Sequence, residues 1–349
     1  MPRVKRGPKN AHGRSSRAQA AASRLHSPMQ QRHSPIKRYA SLLDKNHPSR
    51  LRIGIDFGTG NSSGAFVVVD SRNDPMLQLI KRIQVLHTTD GSFRFPTLVA
   101  FLPMEEEGKE KTDRAELVFA QDALDALYQG RINFDDMIVY PKLGLIDDFR
   151  GIFDYDKATL EKLQRRHNKA IANAKVFELI TIKYPGGEEE ECVKGSLNCM
   201  EEIIARCLKY FLHLMKSELG RRLEVDPEEV DWILKHKTEV GFAAPTFWTD
   251  TMLDNFLRLI QDAGWPTHCK IWSEPKCALS ARVAQQVESY SREQREKLET
   301  EELGVARVVV DIGAGSLVGD SLSNSWVRPF RSHRPDPSAM VKSFVGRLA

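Results

Sequence analysis

Two segments of this chain combine a carboxylate with glycines in the way a phosphate site requires. Ile53-Gly-Ile-Asp-Phe-Gly-Thr-Gly-Asn61 and Val309-Val-Asp-Ile-Gly-Ala-Gly-Ser316 each run from apolar residues through an Asp into a Gly-small-Gly turn. Glycines let the backbone approach an anion, and successive N–H groups in such a turn form a nest for phosphate oxygens. An Asp at each strand end, Asp56 and Asp311, is suited to hydrated Mg²⁺, which favours carboxylate, phosphate and retained water. Thr59, Asn61 and Ser316 add hydroxyl or amide groups, and Gly58, Gly60, Gly313, Ala314 and Gly315 form the two cradles. Either turn alone is an ordinary hairpin in many proteins; the repeat, 255 positions apart, is the informative feature. Neither segment matches G-x-x-x-x-G-K-[ST] or G-x-G-x-x-G.

The elements that must position these residues are legible in part. Apolar residues at 51, 53, 55 and 57 alternate, which predicts a strand leading to the first turn. Gly64–Asp70 reads as the returning strand, and Ile80–Leu86 and Thr97–Phe101 as further strands of a β-meander, with Pro96 at the start of the last. Residues 104–114 read as a charged loop, Ala120–Leu127 as a short helix, Tyr140–Gly144 as irregular and Lys157–Ala174 as a helix. Val176–Tyr184 reads as a strand, followed by an exposed turn over Gly186 to Glu191. Three later helices have readable ends. Asn198 and Glu201 make a capping-box-like start with Gly220 at the close. Thr249 or Asp250 caps the second, which Gly264 ends, and Pro275 opens the third. Glu239–Ala243 is a strand, and Val308–Ile312 is apolar enough to be a strand buried on both faces.

Composition limits the classes. The chain has 349 residues, 41% hydrophobic and 28% charged, an ordinary globular balance. Five cysteines form no C-x-x-C pair and no zinc-type cluster, the pattern of reduced thiols in a cytosolic or nuclear protein. No stretch is long and apolar enough to span a bilayer, so no membrane association is expected. Charge is uneven: residues 1–50 carry 12 of the 51 basic residues and one of the 47 acids. Residues 1–48, rich in Arg, Ser, Pro and Ala, are expected to be a disordered basic tail. It is either a plain solvated tail, a nuclear or nucleic-acid contact through Lys5, Arg6, Lys9 and Arg14, or a transit segment that Pro2, Pro8, Pro28 and Pro35 would interrupt.

The first phosphate turn resembles that of the heat-shock-seventy, actin and sugar-kinase superfamily in its chaperone form, Gly-Ile-Asp-Leu/Phe-Gly-Thr. Phe95-Pro-Thr-Leu-Val-Ala-Phe101 resembles the chaperones' Pro-Ser-x-Val-Ala-Phe strand. Phe242-Ala-Ala-Pro-Thr-Phe-Trp248 is similar to their Thr-Val-Pro-Ala-x-Phe segment, and Ser273-Glu-Pro-Lys-Cys-Ala278 to Asn/Ser-Glu-Pro-x-Ala-Ala. Val310 to Ser316 resembles Asp-x-Gly-Gly-Gly-Thr. The Ser-Glu-Pro form resembles the divergent, atypical branch of the heat-shock-seventy family. The resemblance implies an α/β fold: an actin-like, ribonuclease-H-like ATPase lobe over residues 51–320, with a mixed sheet, flanking helices and an inserted subdomain at 90–185. Residues 321–349 lie outside it as a polar tail.

The resemblance implies ATP and Mg²⁺ as ligands, a cytoplasmic or nuclear setting, and protein clients or co-chaperones as partners. Asp56 and Asp311 would hold Mg²⁺ through water, Thr59 and Ser316 would lie near the γ-phosphate, and Glu274 would orient the attacking water. Pro245 would act in an interlobe switch, and Lys142 would stand in the place of the catalytic lysine. The other readings are a helix-entry ion pair for Glu274, a strand terminator for Pro245 and a surface lysine for Lys142. The second turn departs from the pattern: Ala314 replaces a Gly, and the family's acid falls on Val318, with Asp320 two residues on. No second lobe is legible after it, so weak phosphate binding and little turnover are expected, and the end is expected to be a truncated or mistranslated part of a longer gene product. Two other functions remain open, a non-catalytic pseudo-ATPase interaction module and a nucleic-acid-associated protein acting through residues 1–50.

Overall fold

A computed structural model describes residues 43, 46–69, 83–87, 92, 94–104, 112–146, 154–278, 307–312 and 317–322. Side chains of 154–157, 307–312 and 317–322 are outside that description. The fold is mixed α/β, with two mixed sheets and flanking helices.

The main sheet begins with β1 (Arg50–Asp56) and β2 (Asn61–Val69), followed by β3 (Gln84–Val85) and β4 (Phe95–Pro96). The period-two pattern works as expected: Leu51, Ile53 and Ile55 are buried while Arg50, Arg52, Gly54 and Asp56 face outward. β10 (Thr238–Ala244) and β11 (Lys270–Ser273) complete the sheet. The order is β11-β10-β1-β2-β3, with β4 also on β2. β1, β2 and β3 are antiparallel neighbours, whereas β10 and β11 join β1 in parallel.

The second sheet has the order β7-β5-β6-β8-β9. Its strands are β5 (Leu98–Pro103), β6 (Arg114–Phe119), β7 (Met137–Val139), β8 (Leu179–Lys183) and β9 (Glu189–Val193). β6 and β8 are its parallel pair. This sheet occupies 98–193, displaced from the 90–185 expected for an insertion, because Phe95 and Pro96 pair with β2 of the main sheet.

Among the described residues five helices flank the sheets: α1 (Ala120–Tyr128), α2 (Asp154–Ala174), α3 (Met200–Leu223), α4 (Pro227–His236) and α5 (Asp250–Asp262). α3 supplies Ile203, Ile204, Leu208, Phe211, Leu212 and Met215 to a core that also holds Ile53, Ile55, Phe66, Val240 and Phe242 of the main sheet. Burying a side chain of this size contributes about 1.5–3 kcal/mol. A smaller core, with Ala100, Leu102, Val118, Ala123 and Met137, lies between the second sheet and α1.

Several expectations are corrected. Residues 43 and 46–48 do not belong to a free tail: Leu43 is buried, and Lys237 Nζ donates to the His47 carbonyl at 2.6 Å. Residues 1–42 lie outside the described residues. Arg114, the last residue of the expected loop, instead opens the strand Arg114–Phe119. The acidic run is also a strand, β9, since Glu188 and Glu190 are drawn to Arg206 and Lys209 of α3. α3 starts one residue late, with Cys199 at its cap and Glu202 closing the box. It runs past Gly220 to Leu223, where Glu224 takes the left-handed conformation instead. α4 was not foreseen, although Asp226 caps it and Pro227 opens it. Val308–Ile312 lies in β12 (Arg307–Ile312), which forms a hairpin with β13 (Leu317–Leu322).

Candidate functional site

The carboxyl ends of the parallel strands form one edge. Asp56 is in register with Ala243, and Ala243 with Trp272, so the ends of β1, β10 and β11 lie side by side. Such an edge is where open α/β sheets take ligands, because chain reversals there leave a crevice. The turn after β1 is tight. A Cβ on Gly58 would collide with the Asn61 carbonyl and lie 3.6 Å from Asp56 Oδ1, so only glycine allows this path beside the carboxylate. The turn is pinned from the far side: Thr97 N–H donates to the Gly60 carbonyl at 3.0 Å, and the Ser62 and Thr97 hydroxyls are 2.8 Å apart in the interior. Thr59, Gly60 and Asn61 thus occupy a fixed loop between β1 and β2.

Lys142 reaches this edge from another part of the chain. After β7, Tyr140 adopts a left-handed backbone (φ 56°), an uncommon conformation for a non-glycine residue. It reverses the chain into a 3₁₀ turn, Pro141–Leu145. That turn is clamped. His167, inside α2, donates Nε2–H to the Val139 carbonyl at 2.7 Å, and Gln164 donates to the Ile146 carbonyl at 2.9 Å. On the other side Gly144 lies against Met200 so closely that a Cβ would stand 3.0 Å from its Cγ.

The result overturns the surface reading of Lys142. The side chain is 1% exposed, and its ammonium lies 2.6 Å from Glu274 Oε1 across 132 residues of sequence. Glu274 starts the helical turn 274–278 directly after β11 and is 16% exposed. Glu274 is thus half of an ion pair at a helix entry, and that pair stands at the strand edge. The Lys142 ammonium also lies 5.3 Å from the centre of the Trp248 ring. Pro245 is buried between β10 and α5, and its carbonyl accepts from Trp248 N–H at 3.3 Å.

Sequence reasoning passed over two residues of this edge. Trp248 enters the sequence reading only inside a motif, although a Trp three residues after a strand-ending proline is a usable signal. Cys277 is exposed as a residue, yet its thiol is pushed up, first by loss of hydration and then by the carboxylates of Asp56 and Glu274. That shared influence ties Asp56 and Glu274 to one electrostatic neighbourhood.

The second turn is not brought to this edge by the described residues. Asp311 sits in β12 opposite Val318, Asp320 sits opposite Val309, and Gly313, Ala314, Gly315 and Ser316 lie outside the described residues. Among the described residues no cluster of three or more His, Cys, Asp or Glu side chains stands ready for a metal. A cation held by one carboxylate, phosphate and water needs no such cluster. The tight Gly58 turn and the ammonium of Lys142 fit a phosphate, and Asp56 fits one water-mediated cation contact.

All five cysteines are free, as expected. No helix among the described residues is long and apolar enough to cross a membrane. No curated protein matches the chain. The family described as "Domain of unknown function (DUF8340) N-terminal domain" matches residues 33–283, a span that holds Asp56, the Gly58 turn, Lys142 and Glu274, and the chain belongs to that family.

Proposed function

We propose that this chain is an actin-like, heat-shock-seventy-like lobe that binds Mg²⁺-complexed nucleotide phosphate at the carboxyl edge of β1, β10 and β11. The observation that carries the reading is the buried Lys142–Glu274 pair at that edge, on the same sheet as Asp56 and its glycine turn. The order β3-β2-β1-β10-β11, antiparallel on one side of β1 and parallel on the other, supports an actin-like, ribonuclease-H-like lobe.

In this reading the backbone of Gly58–Asn61 cradles the terminal phosphate, and Lys142 neutralises its charge. Asp56 orients water of a Mg²⁺ ion, which would supply further neutralisation of phosphate charge when bound. Glu274, fixed by Lys142, accepts a hydrogen bond from a water at the phosphate. ATP is the favoured ligand through the resemblance alone. Protein clients or co-chaperones as partners and a cytoplasmic setting follow from the same resemblance.

Isothermal titration of the full chain with Mg-ATP and with Mg-tripolyphosphate tests the reading. Binding that weakens about tenfold or more in Asp56→Ala and in Lys142→Ala is the expected result. No heat with either ligand for the wild-type chain would refute it. A non-hydrolysing version is favoured by one observation: Val318, where the resembled motif carries an acid, pairs with Asp311 across the β12–β13 hairpin. Binding without phosphate release, in an assay sensitive to one turnover per hour, would select that version. Within residues 1–50, the segment 1–42 is the basis of a nucleic-acid contact, which a gel shift on the chain with and without residues 1–42 tests.

A further inference from the structure

We propose that Trp248 is the residue that positions Lys142, its ring holding the ammonium so that an incoming phosphate and Glu274 can share it. The proposal rests on the phosphate-binding reading and adds a residue that the resemblance assigns no role. An ammonium has three donors. Glu274 Oε1 takes one at 2.6 Å, and among the described residues no other hydrogen bond or ion pair of Lys142 is found. The side chain is 1% exposed, so water does little for the remaining donors. The Trp248 ring, 5.3 Å away, offers its negative face to the cation without consuming a directed donor. A second carboxylate there would leave the site with net negative charge and repel an anion. An aromatic ring instead steadies it and leaves donors for an anion.

Trp248 is itself well fixed. It is 6% exposed and meets Phe256 edge-on at 5.3 Å. Phe256 in turn stacks on Phe57, the residue between Asp56 and Gly58, at 6.2 Å. A continuous aromatic path therefore links the lysine to the glycine turn, and the ring is buried and packed beside the ammonium.

The test uses the full chain as wild type, Trp248→Leu and Trp248→Phe, with Trp248→Met as a second non-aromatic variant should the Leu variant not fold. Acylation of Lys142 by a succinimidyl ester, followed by mass spectrometry, reads how firmly the amine is held without any ligand. Titration with Mg-tripolyphosphate reads the site. Loss of the ring is expected to speed acylation about tenfold and weaken binding about tenfold, while Phe stays within about twofold on both. On a Lys142→Met background, Trp248→Leu is expected to change affinity by less than about twofold. Leu acylated at the wild-type rate, or Phe failing as badly as Leu at equal melting temperature, would overturn the proposal. If the wild-type chain binds no Mg-tripolyphosphate, the phosphate reading fails, and the acylation rates alone decide whether Trp248 holds Lys142.

Discussion

Among the described residues both mixed sheets contain parallel strands, and both place charged side chains near them, yet they treat the charges differently. In the second sheet Glu190 of β9 is surrounded. It accepts from the Tyr184 hydroxyl at 2.9 Å and from Lys209 at 3.1 Å, and it lies 2.7 Å from Arg206. Glu188 meets Lys209 at 2.9 Å and His213 at 3.4 Å. Glu188, Glu190 and Lys209 each have two or more partners, although Arg206 keeps one buried donor, Nε, without a hydrogen bond, so the cluster mainly glues β9 to α3. At the main-sheet edge Lys142 is more deeply buried but has one carboxylate and a ring. A buried charge with spare donors is costly unless something else meets it, and it is the better indicator of a binding site.

The largest test of that contrast removes the support beneath the edge. Phe256, fully buried against Phe57, Phe242 and Trp248, should cost about 4 kcal/mol when replaced by Ala, read by urea unfolding. A loss below about 1 kcal/mol would mean that the aromatic path is loosely packed.

Next comes the pair itself. Lys142→Met leaves Glu274 without its partner and should cost about 3 kcal/mol. The double replacement Lys142→Met with Glu274→Leu should regain much of that stability while phosphate binding stays about tenfold weaker than wild type. If the double variant were as unstable as the single one, the pair would be structural in the same sense as the Glu190 cluster.

The cluster is tested by acid. Burial pushes the Glu190 carboxyl up, but the Tyr184 hydroxyl, Lys209 and Arg206 outweigh it and hold it below its ordinary 4.5. A depressed carboxylate contributes stability above the unfolded value and loses it as pH falls through the folded one. Glu190→Gln should therefore cost about 1 kcal/mol at pH 7 and little at pH 3, flattening the acid limb of a stability–pH curve. An equal loss at both pH values would remove the ion cluster from the explanation.

The smallest expected effect concerns α5, which leaves the edge just after Trp248. Its cap is Thr249, whose side chain accepts from Met252 N–H at 3.3 Å. Thr249→Ala should lower stability by about 1 kcal/mol. A larger loss in phosphate affinity than in stability would show that the cap also orients the Trp248 loop.

Legibility in the sequence followed the range of the interactions. β1 was readable because alternation over Leu51 to Phe57 is local, and its turn because Gly58 has a steric requirement that its own neighbours impose. α5 was readable for the same reason, through Thr249 at one end and Gly264, with φ 89°, at the other. β9 was not: four consecutive glutamates read as a solvated turn until Arg206 and Lys209 are brought opposite them. The missed helix α4 did carry a local signal in Asp226-Pro227, and it was lost among charged residues whose buried stripe is only Val230, Ile233 and Leu234.

What the sequence alone determined is the edge of β1: a period-two strand, an Asp at its end and a turn that only glycine permits. These are properties of adjacent residues and need no fold to express them. What only the tertiary structure decided is Lys142. Nothing within several residues of it distinguishes a surface lysine from a buried one. Its meaning comes from Glu274, 132 positions away, and from Trp248, which the chain brings to it through two sheets and a left-handed turn at Tyr140. Charge pairing between distant segments is set by tertiary packing, and a lone pair of that kind leaves no periodic mark in sequence.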